Sequence, residues 1–242
     1  DPHRGHERAV QTEIDAEMTL TLTKKEVYGG WFFLLCQFVA VPFAVSLLCV
    51  LLGIYSDTVI NLVCFFLNAA LALILFRQLL TQSFRSCAGR WKGTVLTALK
   101  GLGLYWLVNF AVTWLVLSIE PEFGNVNDQN IGAMLGESPL LMTIAVLFAA
   151  PLAEECLFRG WIFTGLAEKS KALAYAVTCT FFSAVHILAY IGTYDALTLL
   201  LCFVQYLAPS FVLCRTCQRN DSLCAPLLLH MTINTAALFV AR

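Results

Sequence analysis

Seven apolar runs, each close to the length that crosses a bilayer, leave this chain few folds to choose from. They cover approximately residues 31–55, 59–76, 101–119, 140–167, 172–190, 196–214 and 223–241. About 20 residues of helix span the hydrocarbon layer, and in lipid each backbone polar group must find its partner within the protein. The expected fold is therefore all-α, a polytopic bundle of about seven transmembrane helices. The totals agree: 59% of the 242 residues are hydrophobic and 13% are charged, against about 25% charged in soluble domains.

The stretch between the second and third runs, "RQLLTQSFRSCAGRWKGTVLTALK", mixes basic and apolar residues. It reads either as an amphipathic helix lying at the interface, which would be an eighth helix, or as an extension of its neighbours. No internal repeat is evident. Residues 1–30 form a polar tail of mixed charge without a signal-peptide pattern. A natural start is expected at Met18, with residues 1–17 an extension. Residues 31–242 form the integral membrane domain.

Charge outside the runs alternates. Lys24 and Lys25 precede the first; Arg77, Arg85, Arg90, Lys92 and Lys100 follow the second; Lys169 and Lys171 follow the fourth; Arg215 and Arg219 follow the sixth. The remaining loops carry Asp57, then Glu120, Glu122, Asp128 and Glu137, then Asp195, and no lysine or arginine. The positive-inside rule places the N-terminus in the cytoplasm and the C-terminus outside a multi-pass cell-membrane protein. With a net charge of -1 and no long basic tract, the expected surroundings are the lipid bilayer and not nucleic acid. The ten cysteines fall mostly inside apolar runs, as small buried hydrophobes. Cys214 and Cys217 have metal-site spacing but no second pair, and read as ordinary thiols at a helix end.

Against this background "PLAEECLFRG", residues 151–160, stands out. Ionisable groups in a membrane span face the bundle interior and are functional candidates. Here they are Glu154, Glu155 and Arg159 in the fourth run, His186 in the fifth and His230 in the seventh, with Asn109, Gln205 and Asn234 adding neutral polarity. Glu155 and Arg159 are four apart, suited to an intrahelical ion pair. Glu154 is turned by about 100° from Glu155 on a regular helix and is free to meet another element. Phe182 and His186 repeat the four-residue spacing, as do His230 and Asn234. Each feature alone has a bland reading: a packing histidine, a structural ion pair, a chance spacing. Counted along the helices, the polar groups share a level toward the inner half or middle of the membrane.

Together the set has a chemistry. A carboxylate and an imidazole around a water make a general base, while a second imidazole and a carboxamide can donate hydrogen bonds to an oxyanion. No serine, cysteine or threonine forms a convincing nucleophile constellation, so attack by activated water is favoured.

"EECLFRG", "FFSAVH" and "HMTIN" resemble the E-E-x-x-x-R, F-x-x-x-H and H-x-x-x-N motifs of the CPBP intramembrane proteases. That family, also called Abi, comprises type II CAAX prenyl endopeptidases and bacteriocin-processing relatives. The resemblance covers about residues 138–240 and implies a glutamate-dependent intramembrane endopeptidase. By motif it implies that Glu154 with His186 activates water and that His230 and Asn234 stabilise the oxyanion. Glu155, Arg159 and Phe182 support the site. Two histidines and a glutamate can bind zinc, but no His-Glu-x-x-His is present and the asparagine suits an oxyanion better. No metal and no other cofactor is expected. The expected substrate is a membrane-associated peptide or protein: a pheromone, a bacteriocin leader or a prenylated CAAX tail. The compact chain looks more like a prokaryotic member. The competing readings are a non-catalytic immunity or scaffold protein that keeps the fold, and a proton-coupled carrier. The carrier lacks the paired halves such folds show.

Overall fold

The computed structural model describes residues 20–240. The expected extension over residues 1–17 lies outside them. Nine helices follow one another, with no strand among the described residues. We number them α1 (Lys24–Leu51), α2 (Asp57–Leu75), α3 (Arg77–Gly89), α4 (Trp91–Ile119), α5 (Val126–Glu137), α6 (Pro139–Ala167), α7 (Lys171–Leu188), α8 (Ala196–Asn220) and α9 (Cys224–Val240). Six of them, α1, α2, α4, α6, α7 and α8, are long and apolar enough to cross a membrane. The last expected span is the shorter apolar helix α9. The all-α polytopic reading holds, and the chain is a multi-pass membrane protein.

The ambiguous stretch 77–100 divides between a helix of its own and an extension of its neighbour. Its first part is the separate helix α3, and its second extends α4 backward to Trp91. One helix was not anticipated: α5, in the loop carrying Asp128. Asn125 caps it, its side chain accepting from the Asn127 and Asp128 N–H groups.

Burial shows which helix is central. Half of the apolar window of α6 is buried, against 6% for α4. Side chains on α4 such as Leu107, Phe110 and Trp114 face outward, as a helix apolar on all sides does in lipid. α6 packs against α1, α2, α7, α8 and α9, and Phe33, Phe76, Leu79, Phe158 and Phe182 are fully or almost fully buried around it. Two glycines permit the closest approaches. A Cβ on Gly30 of α1 would enter the Trp161 ring, and one on Gly160 of α6 would lie 2.6 Å from Leu79 Cδ2. Trp161 Nε1–H donates to the Val27 carbonyl at 3.1 Å, fixing the α1 crossing.

The basic loops gather at one end. Leu20 N–H donates to Asp221 Oδ1 at 3.0 Å, Arg90 to the Asn220 carbonyl at 2.6 Å, and Leu223 N–H to Ser83 Oγ at 3.1 Å. Glu26, 2% exposed, ties two helix starts together. It completes a capping box with Thr23 on α1 and accepts the Leu79 N–H in the first turn of α3 at 2.6 Å. The acidic loops gather at the other end, where Thr58 donates to Glu137 at 2.6 Å and Asn130 to the Tyr190 hydroxyl at 3.1 Å.

All ten cysteines are free, eight of them buried, including Cys214 and Cys217.

Candidate active site

The three central motifs meet inside the bundle, on α6, α7 and α9. α6 is not a regular helix there. It has π-helical segments at Ala145–Ala149 and Glu155–Phe163. The first has a local cause. Ala150 N–H bonds back to the Ala145 carbonyl, and the donor that this register would bring to Val146 belongs to Pro151, which has none. The Val146 carbonyl is satisfied from another helix: Asn234 Nδ2 on α9 donates to it at 2.9 Å. α1 shows the same pairing of a π segment, Cys36–Ala40, with a proline two residues on, Pro42.

The second π segment carries Glu155 and Arg159. Its i→i+5 register closes with the Thr164 hydroxyl and N–H both on the Arg159 carbonyl, the hydroxyl at 2.8 Å. The 100° step expected between Glu154 and Glu155 assumed a regular helix, whereas this stretch is wound more loosely; π segments of this kind recur at functional sites. The ion pair forms all the same: Arg159 Nη1 donates to Glu155 Oε1 at 3.1 Å. Arg159 is fully buried. Its Nη2 reaches the Ser210 carbonyl and hydroxyl, both at 3.2 Å, and its guanidinium lies 4.5 Å from the Phe182 ring centroid. Charge buried at this depth is tolerated because it is paired and hydrogen-bonded.

His230, 6% exposed, joins the two glutamates. Its Nδ1 lies 2.7 Å from Glu155 Oε1, so it carries the proton donated to that oxygen. Its Nε2 lies 3.7 Å from Glu154 Oε2, beyond hydrogen-bond length. The two carboxylates differ in exposure, 1% for the Glu155 side chain and 18% for Glu154. One Glu155 oxygen is occupied by both Arg159 and His230; Glu154 stays open to water.

His186 sits in the last turn of α7. Its Nδ1 contacts the Phe182 carbonyl at 2.7 Å. A carbonyl only accepts, so Nδ1 holds the proton and Nε2 is the lone-pair nitrogen of the neutral ring. The Phe182 ring lies 4.4 Å from the imidazole of His186 and 6.3 Å from that of His230. No direct hydrogen bond or ion pair joins Glu154 to His186 among the described contacts. Glu154 lies midway along α6, while His186 lies two residues before the end of α7 at Leu188, on the acidic-loop side.

Tyr206 and Ser210, both on α8, were not singled out in the sequence. Tyr206 stacks on His186 with centroids 4.2 Å apart. An aromatic and a serine in an apolar run give no sequence signal; only Gln205, beside Tyr206, had been marked as polar, and its Oε1 accepts from Asn125 Nδ2 at 2.9 Å. Asn109 on α4 is half-buried and away from these contacts. Among the described residues no group of three or more His, Cys, Asp or Glu side chains is arranged to hold a metal ion.

The comparisons with known proteins fall on this same region. Residues 136–236 match the family model described as type II CAAX prenyl endopeptidase Rce1-like. Among curated proteins, the chain is similar to the UPF0177 protein YxdF of Lactococcus lactis subsp. lactis (strain IL1403), at 33% identity over 79 residues. That stretch covers 32% of this chain and 44% of YxdF, so the chain spans less than half the length of that relative. No solved structure gives a significant match. The family match encloses Glu154, Glu155, Arg159, Phe182, His186, His230 and Asn234, so the three motifs that meet in the bundle all lie in the part of the chain that is similar to the Rce1-like type II CAAX prenyl endopeptidases.

Proposed function

We propose that the chain is an intramembrane endopeptidase that hydrolyses a peptide bond in a membrane-associated peptide or protein. The observation that carries this reading is the division of labour around His230. Arg159 and His230 share one oxygen of the buried Glu155, and Glu154 remains open beside the same imidazole. A purely structural cluster would have no use for a second carboxylate left partly open in the interior.

Glu154 takes a proton from water while the oxygen attacks the substrate carbonyl carbon. His186 orients that water through the lone pair of Nε2, left free because Nδ1 is held by the Phe182 carbonyl. As the tetrahedral centre forms, its oxyanion is met by the N–H of Asn234 that Val146 does not occupy, and by His230 Nε2 when that ring is protonated. The C–N bond then breaks, and the proton held on Glu154 passes to the leaving amine. Glu155 and Arg159 keep His230 oriented. No step calls for a metal or cofactor.

The substrate class follows from the membrane setting and the family: a pheromone or bacteriocin leader peptide, or a prenylated CAAX-type tail. The gathered basic ends of the helices support a cytoplasmic N-terminus, with the acidic ends and the C-terminus outside. Mass spectrometry of small membrane-associated peptides, comparing cells that carry the wild type with cells that carry Glu154→Ala, tests the reading. Peptides whose cleavage depends on Glu154 are expected; identical peptide profiles would overturn it.

A further inference from the structure

We infer that Tyr206 is a positioning residue for His186, and that α5, a helix outside the apolar spans, is thereby part of the active site; the inference rests on the hydrolytic reading above. Two rings meet the His186 imidazole from different directions. Phe182 lies 4.4 Å away at 41°, Tyr206 lies 4.2 Å away at 26°, and the two are 6.5 Å from one another. With Nδ1 bonded to the Phe182 carbonyl, rotation about the last torsion of His186 is opposed mainly by the Tyr206 face.

That face is itself anchored. The Tyr206 hydroxyl donates to Asp128 Oδ1 at 3.1 Å and accepts from Asn127 Nδ2 at 2.9 Å. Both partners belong to the first turn of α5. Asn127 is held in turn, since its Oδ1 accepts from the Tyr190 hydroxyl at 3.2 Å. Asn125, the cap of α5, bonds Gln205 on the other side. A hydroxyl with two partners cannot swing without breaking both, so its ring is a fixed wall. A fixed wall matters because a base works only while its lone pair points at the water. Small misplacements of catalytic groups cost large factors in rate.

The test uses the full-length protein in detergent with a peptide found by the profiling above. Tyr206→Leu removes both the stack and the anchor, and is expected to lower kcat roughly 10- to 100-fold with KM nearly unchanged. Tyr206→Phe keeps the ring and loses only the anchor to α5, and should show an intermediate loss; wild-type kcat in this variant would overturn the part assigned to α5. In parallel, 15N NMR of the His186 imidazole reports its tautomer without any turnover. The wild type should show a single Nδ1–H form, and Tyr206→Leu should move toward tautomer averaging. Wild-type kcat in Tyr206→Leu, or unchanged imidazole shifts in that variant, overturns the inference. Absence of cleavage by the wild type would instead refute the hydrolytic reading, and the NMR comparison alone then decides whether Tyr206 orients the ring.

Discussion

His230 lies between two adjacent glutamates that it treats differently, with Nδ1 at 2.7 Å from Glu155 and Nε2 at 3.7 Å from Glu154. The near contact fixes the ring and the far one leaves room for chemistry. The expected outcomes below follow from that asymmetry and from the groups that maintain it.

Arg159→Lys should fail despite conserving charge. The guanidinium serves Glu155 and Ser210 together while its carbon lies 4.5 Å from the Phe182 ring centroid, and an ammonium cannot reproduce that fork. Thermal unfolding in detergent should show a loss of about 2 kcal/mol, the worth of a charged hydrogen bond. Arg159→Met, which strands Glu155, should lose about 3–5 kcal/mol.

Asn234→Ala should affect both folding and rate. It leaves the Val146 carbonyl without its donor, costing about 1–3 kcal/mol. It also removes an oxyanion donor, so kcat should fall by roughly 10²–10³. Parallel unfolding and steady-state measurements separate the two effects.

Asp128 predicts a pH dependence. Its carboxyl stands above the usual carboxylate value because lost hydration outweighs the hydrogen bond from Tyr206. The folded state therefore holds this proton more tightly than the unfolded state. Its contribution favours the fold at low pH and is lost as pH rises from the ordinary carboxylate value through the raised one. Across that window, wild-type unfolding temperatures should fall relative to those of Asp128→Asn; a parallel course for the two proteins would contradict this.

Chelators should leave cleavage intact, because the proposed base is a carboxylate and the proposed electrophilic groups are N–H donors. Activity lost to a chelator and restored by zinc would overturn the water-activation scheme.

Much of this was legible in the sequence because a membrane makes polar residues conspicuous. Glu155 and Arg159 announce themselves four residues apart in an apolar run, and that pairing survives even in a π register. The register itself was not legible, since "ECLFRGWIF" contains no proline, and its single glycine is also tolerated in a regular helix. Nor was the link between His230 and Glu155, which depends on how deep α9 sits against α6. Glu26 follows Lys24 and Lys25 with nothing local to mark it, although it is buried on the N-terminus of α3. α5 hid in an acidic loop because its value lies in Asn125, Asn127 and Asp128 reaching α8, which no local pattern reveals.

The most direct test of the account is the rate of peptide cleavage by purified, reconstituted protein carrying Glu154→Gln. That substitution keeps the shape of the side chain and removes its basicity, while the Glu155–Arg159–His230 contacts remain in place. The account predicts a loss of at least about 10²-fold in kcat with an unfolding temperature close to that of the wild type. Cleavage at the wild-type rate by a folded Glu154→Gln protein would contradict it.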